Sequence, residues 1–118
     1  MASDTLLHFV ETLAFRKRLD KLADLNTLFA IQADLLENPK CGVVIKGCGG
    51  ARKARVADFR GSRGKSGGLR YIYLYLERSD IVYLFMLYPK HEKSDLSGNE
   101  KKILAALVKQ YKDLYGEK

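Results

Sequence analysis

Cysteine, proline and histidine are scarce in this 118-residue chain, at two each, and it contains no long apolar run. Cys41 and Cys48 are too few for the disulfide framework of a small secreted protein and fit reduced thiols better. A zinc site built from them with His8 and His91 would lack the CxxC spacing typical of such sites. No stretch approaches the roughly 20 apolar residues needed to cross a bilayer. The opening Met1-Ala2-Ser3-Asp4 has neither the basic start nor the apolar core of a secretion signal, so the cytoplasm is the expected location. Neither histidine has an obvious serine or cysteine partner, which leaves hydrolysis by a triad unsupported. The length suits one domain spanning 1–118, able to bury roughly two-thirds of its unfolded surface without disulfide or metal.

Positive charge is present and unevenly distributed. Of the net charge of +7, residues 51–70 carry +6, because Arg52, Lys53, Arg55, Arg60, Arg63, Lys65 and Arg70 are opposed only by Asp58. Residues 1–50 balance, and residues 71–118 come to +1. Glycines flank and punctuate the block, and the apolar run Tyr71-Ile72-Tyr73-Leu74-Tyr75-Leu76 follows it. Such a block has two readings: a solvated edge, or a site for a polyanion, with nucleic acid as first candidate. Clustering favours the second, because unpaired like charges repel and a bound anion relieves that.

The periodicity predicts an α+β fold. Residues 5–10 read as a short strand. Phe15, Leu19 and Leu22 recur at helical spacing. A second helix follows, with Leu22, Leu25, Phe29, Gln32 and Leu36 along one side, and Asn38-Pro39 ends it. After Gly42 the pattern turns to β: Val43 to Ile45, then Arg52 to Phe59. Residues 60–68, too glycine-rich to pack, read as a loop. Strands Leu69 to Leu76 and Ile81 to Tyr88 flank a turn at Arg78-Ser79-Asp80. Ser97 and Glu100 have capping-box spacing ahead of a last helix striped by Ile103, Leu104, Leu107, Val108, Tyr111 and Tyr115. Short connections argue for an antiparallel meander, with the helices on one face of a curved sheet.

Strand parity then sorts the chemistry. Lys53 and Arg55 share one face of their strand, and Arg70 begins the next, so pairing would bring the three together. Arg70, Ile72 and Leu74 share a face, and Tyr71, Tyr73 and Tyr75 share the other. With Arg70 toward a ligand, the tyrosines turn away beneath the helices, which favours core over a base-stacking platform. A second polar cluster, Tyr88-Pro89-Lys90-His91-Glu92-Lys93-Ser94-Asp95, follows the last strand and offers groups that move protons or hold phosphate charge.

Four segments occur in the order seen in RelE-type toxins: Asn38-Pro39-Lys40, Gly47 to Arg55, Gly67 to Tyr73, and Tyr88 to Leu96. Over about residues 35–112 the chain resembles the RelE/ParE superfamily, most of all its HigB-like, phage-related branch. The resemblance implies a small RelE-like fold, with an N-terminal helical hairpin and a C-terminal helix on a mainly antiparallel sheet. It implies the toxin of a type II toxin–antitoxin system that cuts messenger RNA in the ribosomal A site. It also implies an antitoxin partner of HigA-like, helix-turn-helix type, and no metal or other cofactor.

The reaction so implied is attack of a ribose 2′-hydroxyl on the adjacent phosphate, leaving a 2′,3′-cyclic phosphate. It needs a base, cations for the phosphorane, and an acid. Lys53 and Arg55 match the family's basic strand pair. Repulsion between them would make Lys53 a plausible base. Arg70 matches the arginine that binds the scissile phosphate. Lys90 and His91 fall where further basic residues lie. His91 is the candidate acid, a departure from the arginine that RelE carries there. For Glu92 three readings stand: base, orienting group, or helix starter. Tyr88 either stacks on a base or closes the core. Arg60, Arg63 and Lys65 form a rim suited to ribosomal RNA and, with Arg52, Tyr88 and Lys93, complete the expected RNA-binding set. Two other functions remain open: a non-catalytic RNA- or DNA-binding module, and a degenerate toxin that keeps only antitoxin binding.

Overall fold

Thr12 ends the first strand and starts the first helix. Its side chain accepts from the Phe15 amide at 3.1 Å, capping the helix, and its hydroxyl donates to the Phe85 carbonyl at 3.1 Å. That corner sets the architecture, because it locks the N-terminal strand and helix to a strand much later in the chain. A computed structural model describes residues 6–57, 68–92 and 95–117. The described residues form β1 (His8–Glu11), α1 (Leu13–Leu22), α2 (Leu25–Glu37), β2 (Val43–Val44), β3 (Arg52–Val56), β4 (Leu69–Leu76), β5 (Ile81–Pro89) and α3 (Gly98–Leu114). A single 3₁₀ turn, Glu77–Ser79, joins β4 to β5 and closes with Asp80 in the left-handed region.

The sheet order is β1-β5-β4-β3-β2. From β2 to β5 it is the expected antiparallel meander. β1 departs from that pattern and pairs parallel to β5, from His8↔Ile81 to Glu11↔Leu84. A parallel neighbour needs a long crossover, which the helices and three strands between them supply. One extra residue in β5 shifts the register between Ile72 and Tyr73, so Phe85 and Met86 both turn toward α3.

The helices do not share one face, as short connections suggested. α1 and α2 cover one side of the sheet, where Phe15, Leu19, Ile31 and Leu35 pack on Tyr71, Tyr73, Leu84 and Leu87. α3 covers the other, with Leu104 and Val108 over Ile72, Leu74, Tyr83 and Phe85. β4 is therefore buried on both sides, as its nearly unbroken apolar sequence requires. The α3 contact leaves an apolar cavity of about 370 Å³ bounded by Ile72, Phe85, Leu104 and Leu107. Toward its C-terminus α3 is held by stacking of Tyr111 on Tyr83 (centroids 4.0 Å apart) and by the Tyr83 hydroxyl donating to Tyr115 Oη at 2.9 Å. Gly49 permits this docking: its φ is +68°, and a Cβ there would sit 2.8 Å from Val108 Cγ1. The capping box of Ser97 and Glu100 forms as its spacing predicts.

α2 turns a different side to the core from the one its longest stripe suggested. Thr27, Leu28, Ile31 and Leu35 are buried, whereas Leu25, Phe29 and Leu36 are 54%, 58% and 51% exposed. The helix carries two apolar stripes at equally good spacing. Docking against α1 and the sheet, not periodicity, chooses between them.

Tyr73 anchors the turn after α2. Its hydroxyl accepts from the Gly42 amide and donates to the Pro39 carbonyl, each at 2.9 Å. Gly42 fits only because it lacks a Cβ, which would lie 2.8 Å from the Tyr73 ring. Tyr71, two residues earlier on the same face, is equally buried, yet its hydroxyl meets no backbone group and only the weakly hydrogen-bonding Cys41 thiol. Removing the two hydroxyls should therefore have unequal effects. Tyr73→Phe strands two backbone groups and lowers the unfolding free energy by about 1–3 kcal/mol, whereas Tyr71→Phe is neutral or slightly stabilising. Guanidinium unfolding of the two variants measures the difference, and equal losses would refute the assignment.

Candidate active site

Strand pairing assembles the basic residues that parity grouped. Arg55 lies opposite Arg70, and Arg70 lies opposite Tyr88, across three adjacent strands. Lys53 is opposite Ile72, so its side chain emerges on the α3 side, the same side as Arg55 and Arg70. Like charges directly opposite each other in a sheet are unfavourable, so the Arg55–Arg70 pair costs stability in the absence of an anion.

Arg70 is only 8% exposed, and its Nη1 is buried with no hydrogen-bond partner among the described residues. Burial lowers its pKa first, and the neighbouring Arg55 adds to that, with Tyr88 partly offsetting both. A guanidinium nonetheless remains charged at any physiological pH. The sheet thus holds a cation whose best hydrogen-bond partner would be an oxyanion. Tyr88 beside it is 1% exposed, which leaves its ring no open face for stacking on a base. Burial also raises its pKa, so the phenol stays protonated at neutral pH.

The turn after β5 brings in the second cluster. The Lys90 amide reaches the Gly68 carbonyl at 3.5 Å, and the Glu92 amide donates to the Pro89 carbonyl at 3.1 Å. Lys90 and His91 are thereby presented, exposed, beside the start of β4 and close in sequence pairing to Arg70. Glu92 lies six residues ahead of Gly98 and takes no part in starting α3. It forms an ion pair with Arg18 of α1, and Arg18 Nε also donates to the Leu87 carbonyl at 3.0 Å. Asp95 stands 3.8 Å from Lys53 Nζ and 3.9 Å from Lys101 Nζ. The Leu96 amide, followed by the two lysines, holds the Asp95 carboxyl below its usual range.

Arg52 belongs elsewhere. It is on the α1–α2 side, where its guanidinium donates to the Gly42 carbonyl at 2.8 Å and the Lys40 carbonyl at 3.2 Å. Arg60, Arg63, Lys65 and Lys93 lie outside the described residues. Two contributors escaped the sequence reading. Asp95 had a signal, since it closes the polar run that starts at Tyr88, but its pairing with Lys53 needs the fold. Arg18 had none, because nothing local marks one cation among Arg16, Lys17, Arg18 and Lys21. Among the described residues no group of three His, Cys, Asp or Glu side chains is placed to hold a metal ion. No helix among them is long and apolar enough to cross a membrane.

Comparison with known proteins agrees with this architecture. The free-state structure of an arginine double mutant of Escherichia coli toxin RelE superposes with a TM-score of 0.55. The match covers 75% of this chain and 87% of that one at 16% identity, so it speaks to the fold. Residues 16–118 match the family model of the RelE toxin of the RelE/RelB toxin–antitoxin system. With that match spanning most of the chain, and three helices on a mixed five-stranded sheet as in RelE, the protein belongs to the RelE toxin family.

Proposed function

We propose that this toxin is a ribosome-dependent endoribonuclease of the HigB-like branch, neutralised by a helix-turn-helix antitoxin and active on messenger RNA in the A site. The observation that carries the proposal is the buried Nη1 of Arg70, which has no hydrogen-bond partner among the described residues and is set beside Arg55 on adjacent strands. A fold retains such a group against its desolvation cost where an anion completes it. A phosphodiester supplies that anion.

In this reading Arg70 and Arg55 bind the nonbridging oxygens of the scissile phosphate. Lys53 takes the proton of the 2′-hydroxyl as that oxygen attacks phosphorus. The ammonium so formed stands 3.8 Å from Asp95, which stabilises it. The bond from phosphorus to the 5′-oxygen breaks, and His91 donates a proton to the leaving oxygen. The products are a 2′,3′-cyclic phosphate and a 5′-hydroxyl. Lys90 adds positive charge for the phosphorane. Glu92, held by Arg18, fixes the turn that carries Lys90 and His91. Arg52 keeps the Lys40–Gly42 turn in place, while Arg60, Arg63, Lys65 and Lys93 contribute long-range attraction to RNA.

Three sets of variants test these roles. Arg70→Ala should remove about 3–4 kcal/mol of transition-state stabilisation and abolish growth arrest on induction. Arg70→Met should be as inactive yet more stable to denaturant than the parent, because an apolar side chain suits the buried position better than an unpaired cation. Full toxicity of either variant would remove Arg70 from the mechanism. Lys53→Arg keeps the charge but loses the base, so cleavage on programmed ribosomes should fall by roughly 10²–10⁴; near-parental rates would make Lys53 a charge only. Arg18→Ala should lower the cleavage rate constant about ten- to a hundredfold, with circular dichroism unchanged. Exchanging the pair, Arg18→Glu with Glu92→Arg, should recover part of that loss, and a swap no better than Arg18→Ala would deny Arg18 its positioning role.

A further inference from the structure

The first turn of α3 carries a charge that its own helix disfavours. Lys101 is the fourth residue of α3, which starts at Gly98, and a cation near the N-terminal end of a helix opposes the macrodipole. Glu100 beside it has the favourable sign and belongs to the capping box with Ser97. The helix start is therefore complete without the Lys101 side chain.

That side chain is turned to Asp95. Lys101 Nζ stands 3.9 Å from Asp95 Oδ2. The other oxygen, Oδ1, accepts from the Leu96 amide at 2.8 Å and lies 3.8 Å from Lys53 Nζ. The two oxygens of one carboxylate are thus divided between a lysine of α3 and a lysine of β3. Among the described residues, Lys53, Cys48, Tyr88 and Lys101 interact electrostatically with this carboxyl, and of these the two lysines are the cations. An aspartate turns easily about its last side-chain bond, and the Asp95 side chain is 59% exposed. One hydrogen bond to Oδ1 leaves that rotation open, and a second hold on Oδ2 closes it. Lys101 is placed to supply the second hold, because its own backbone is fixed to the core. The buried Cys48 thiol donates to the Lys101 carbonyl at 3.8 Å.

We propose that Lys101 is a positioning residue for the base: it holds Asp95 Oδ2 and so keeps Oδ1 turned toward Lys53. The proposal rests on the nuclease reading above, in which Lys53 takes the 2′-hydroxyl proton, and extends that site to α3. Lys101 acts on the reaction through Asp95 and does not itself touch the RNA.

Cleavage on programmed ribosomes and NMR of the full chain test it together. Lys101→Met should lower kcat about tenfold with KM unchanged, as the loss of an aligned neighbour of the base should. Lys101→Arg, which keeps the cation, should recover most of that rate. Because Lys101 acts through Asp95, adding Lys101→Met to Asp95→Asn should cause no further loss. Without ribosomes, the Leu96 amide signal of Lys101→Met should move upfield as its hydrogen bond to Asp95 loosens. The Asp95 carboxyl should also titrate at higher pH, having lost a neighbouring cation. A further loss in the Asp95→Asn background, a raised KM with a shallower salt dependence of RNA binding, or an unmoved Leu96 amide would each overturn the role, the second by making Lys101 an RNA contact. If the Leu96 and Asp95 signals respond as described but the parent cleaves no mRNA, the nuclease reading falls and the orientation of Asp95 by Lys101 stands. If the parent cleaves and neither kcat nor the Leu96 amide responds to Lys101→Met, the reverse holds.

Discussion

Burying a guanidinium on the central strand of a sheet is the constraint on which this site depends. Arg70 is inside because β4 is covered on both faces, and its nearest cross-strand charge is another arginine. Neither desolvation nor Arg55 favours that arrangement, Tyr88 offsets them only in part, and among the described residues Nη1 has no hydrogen-bond partner. The cost must be met by the packing around β4. This is the usual relation between a stable scaffold and a functional residue kept under stress. It also explains why the site is organised by strands. A cation held by pleat and register cannot rotate away to solvent as a loop arginine would.

The remaining groups reach Arg70 through secondary contacts that the same scaffold supplies. The turn after β5 is fixed against Gly68 at one end and against Arg18 at the other. Asp95 joins that segment to Lys53 on β3 and to Lys101 on α3. Helices on opposite faces of the sheet therefore converge on one edge of chemistry, α1 through Arg18 and α3 through Lys101. Membership of the RelE family implies an antitoxin partner.

Much of the fold could be read locally. The bounds of β4 follow from its apolar run, the α3 start from Ser97 and Glu100, and the α2 end from Asn38-Pro39, because each is decided within a few residues. Parity placed Tyr71 and Tyr73 away from Arg70, and both are buried under α1 and α2. The failures were all non-local. The parallel pairing of β1, the placement of α3 on the opposite face, and the buried side of α2 depend on which surfaces meet, and periodicity carries no such information. At the site, Lys53, Arg55 and Arg70 were legible as a group, whereas the pairing of Glu92 with Arg18 spans most of the chain.

Composition and order along the chain alone determined that positive charge is concentrated between residues 51 and 70, and that β-strands carry part of it. They did so because charge and pleat alternation are properties of adjacent residues. Only the tertiary structure decided which cations act together. It set Arg52 against backbone carbonyls on one side of the sheet, and Arg55 beside Arg70 on the other. It buried Arg70 and brought Asp95 to Lys53. Those outcomes depend on strand register and on what covers each face, and both arise from packing between segments that the sequence keeps far apart.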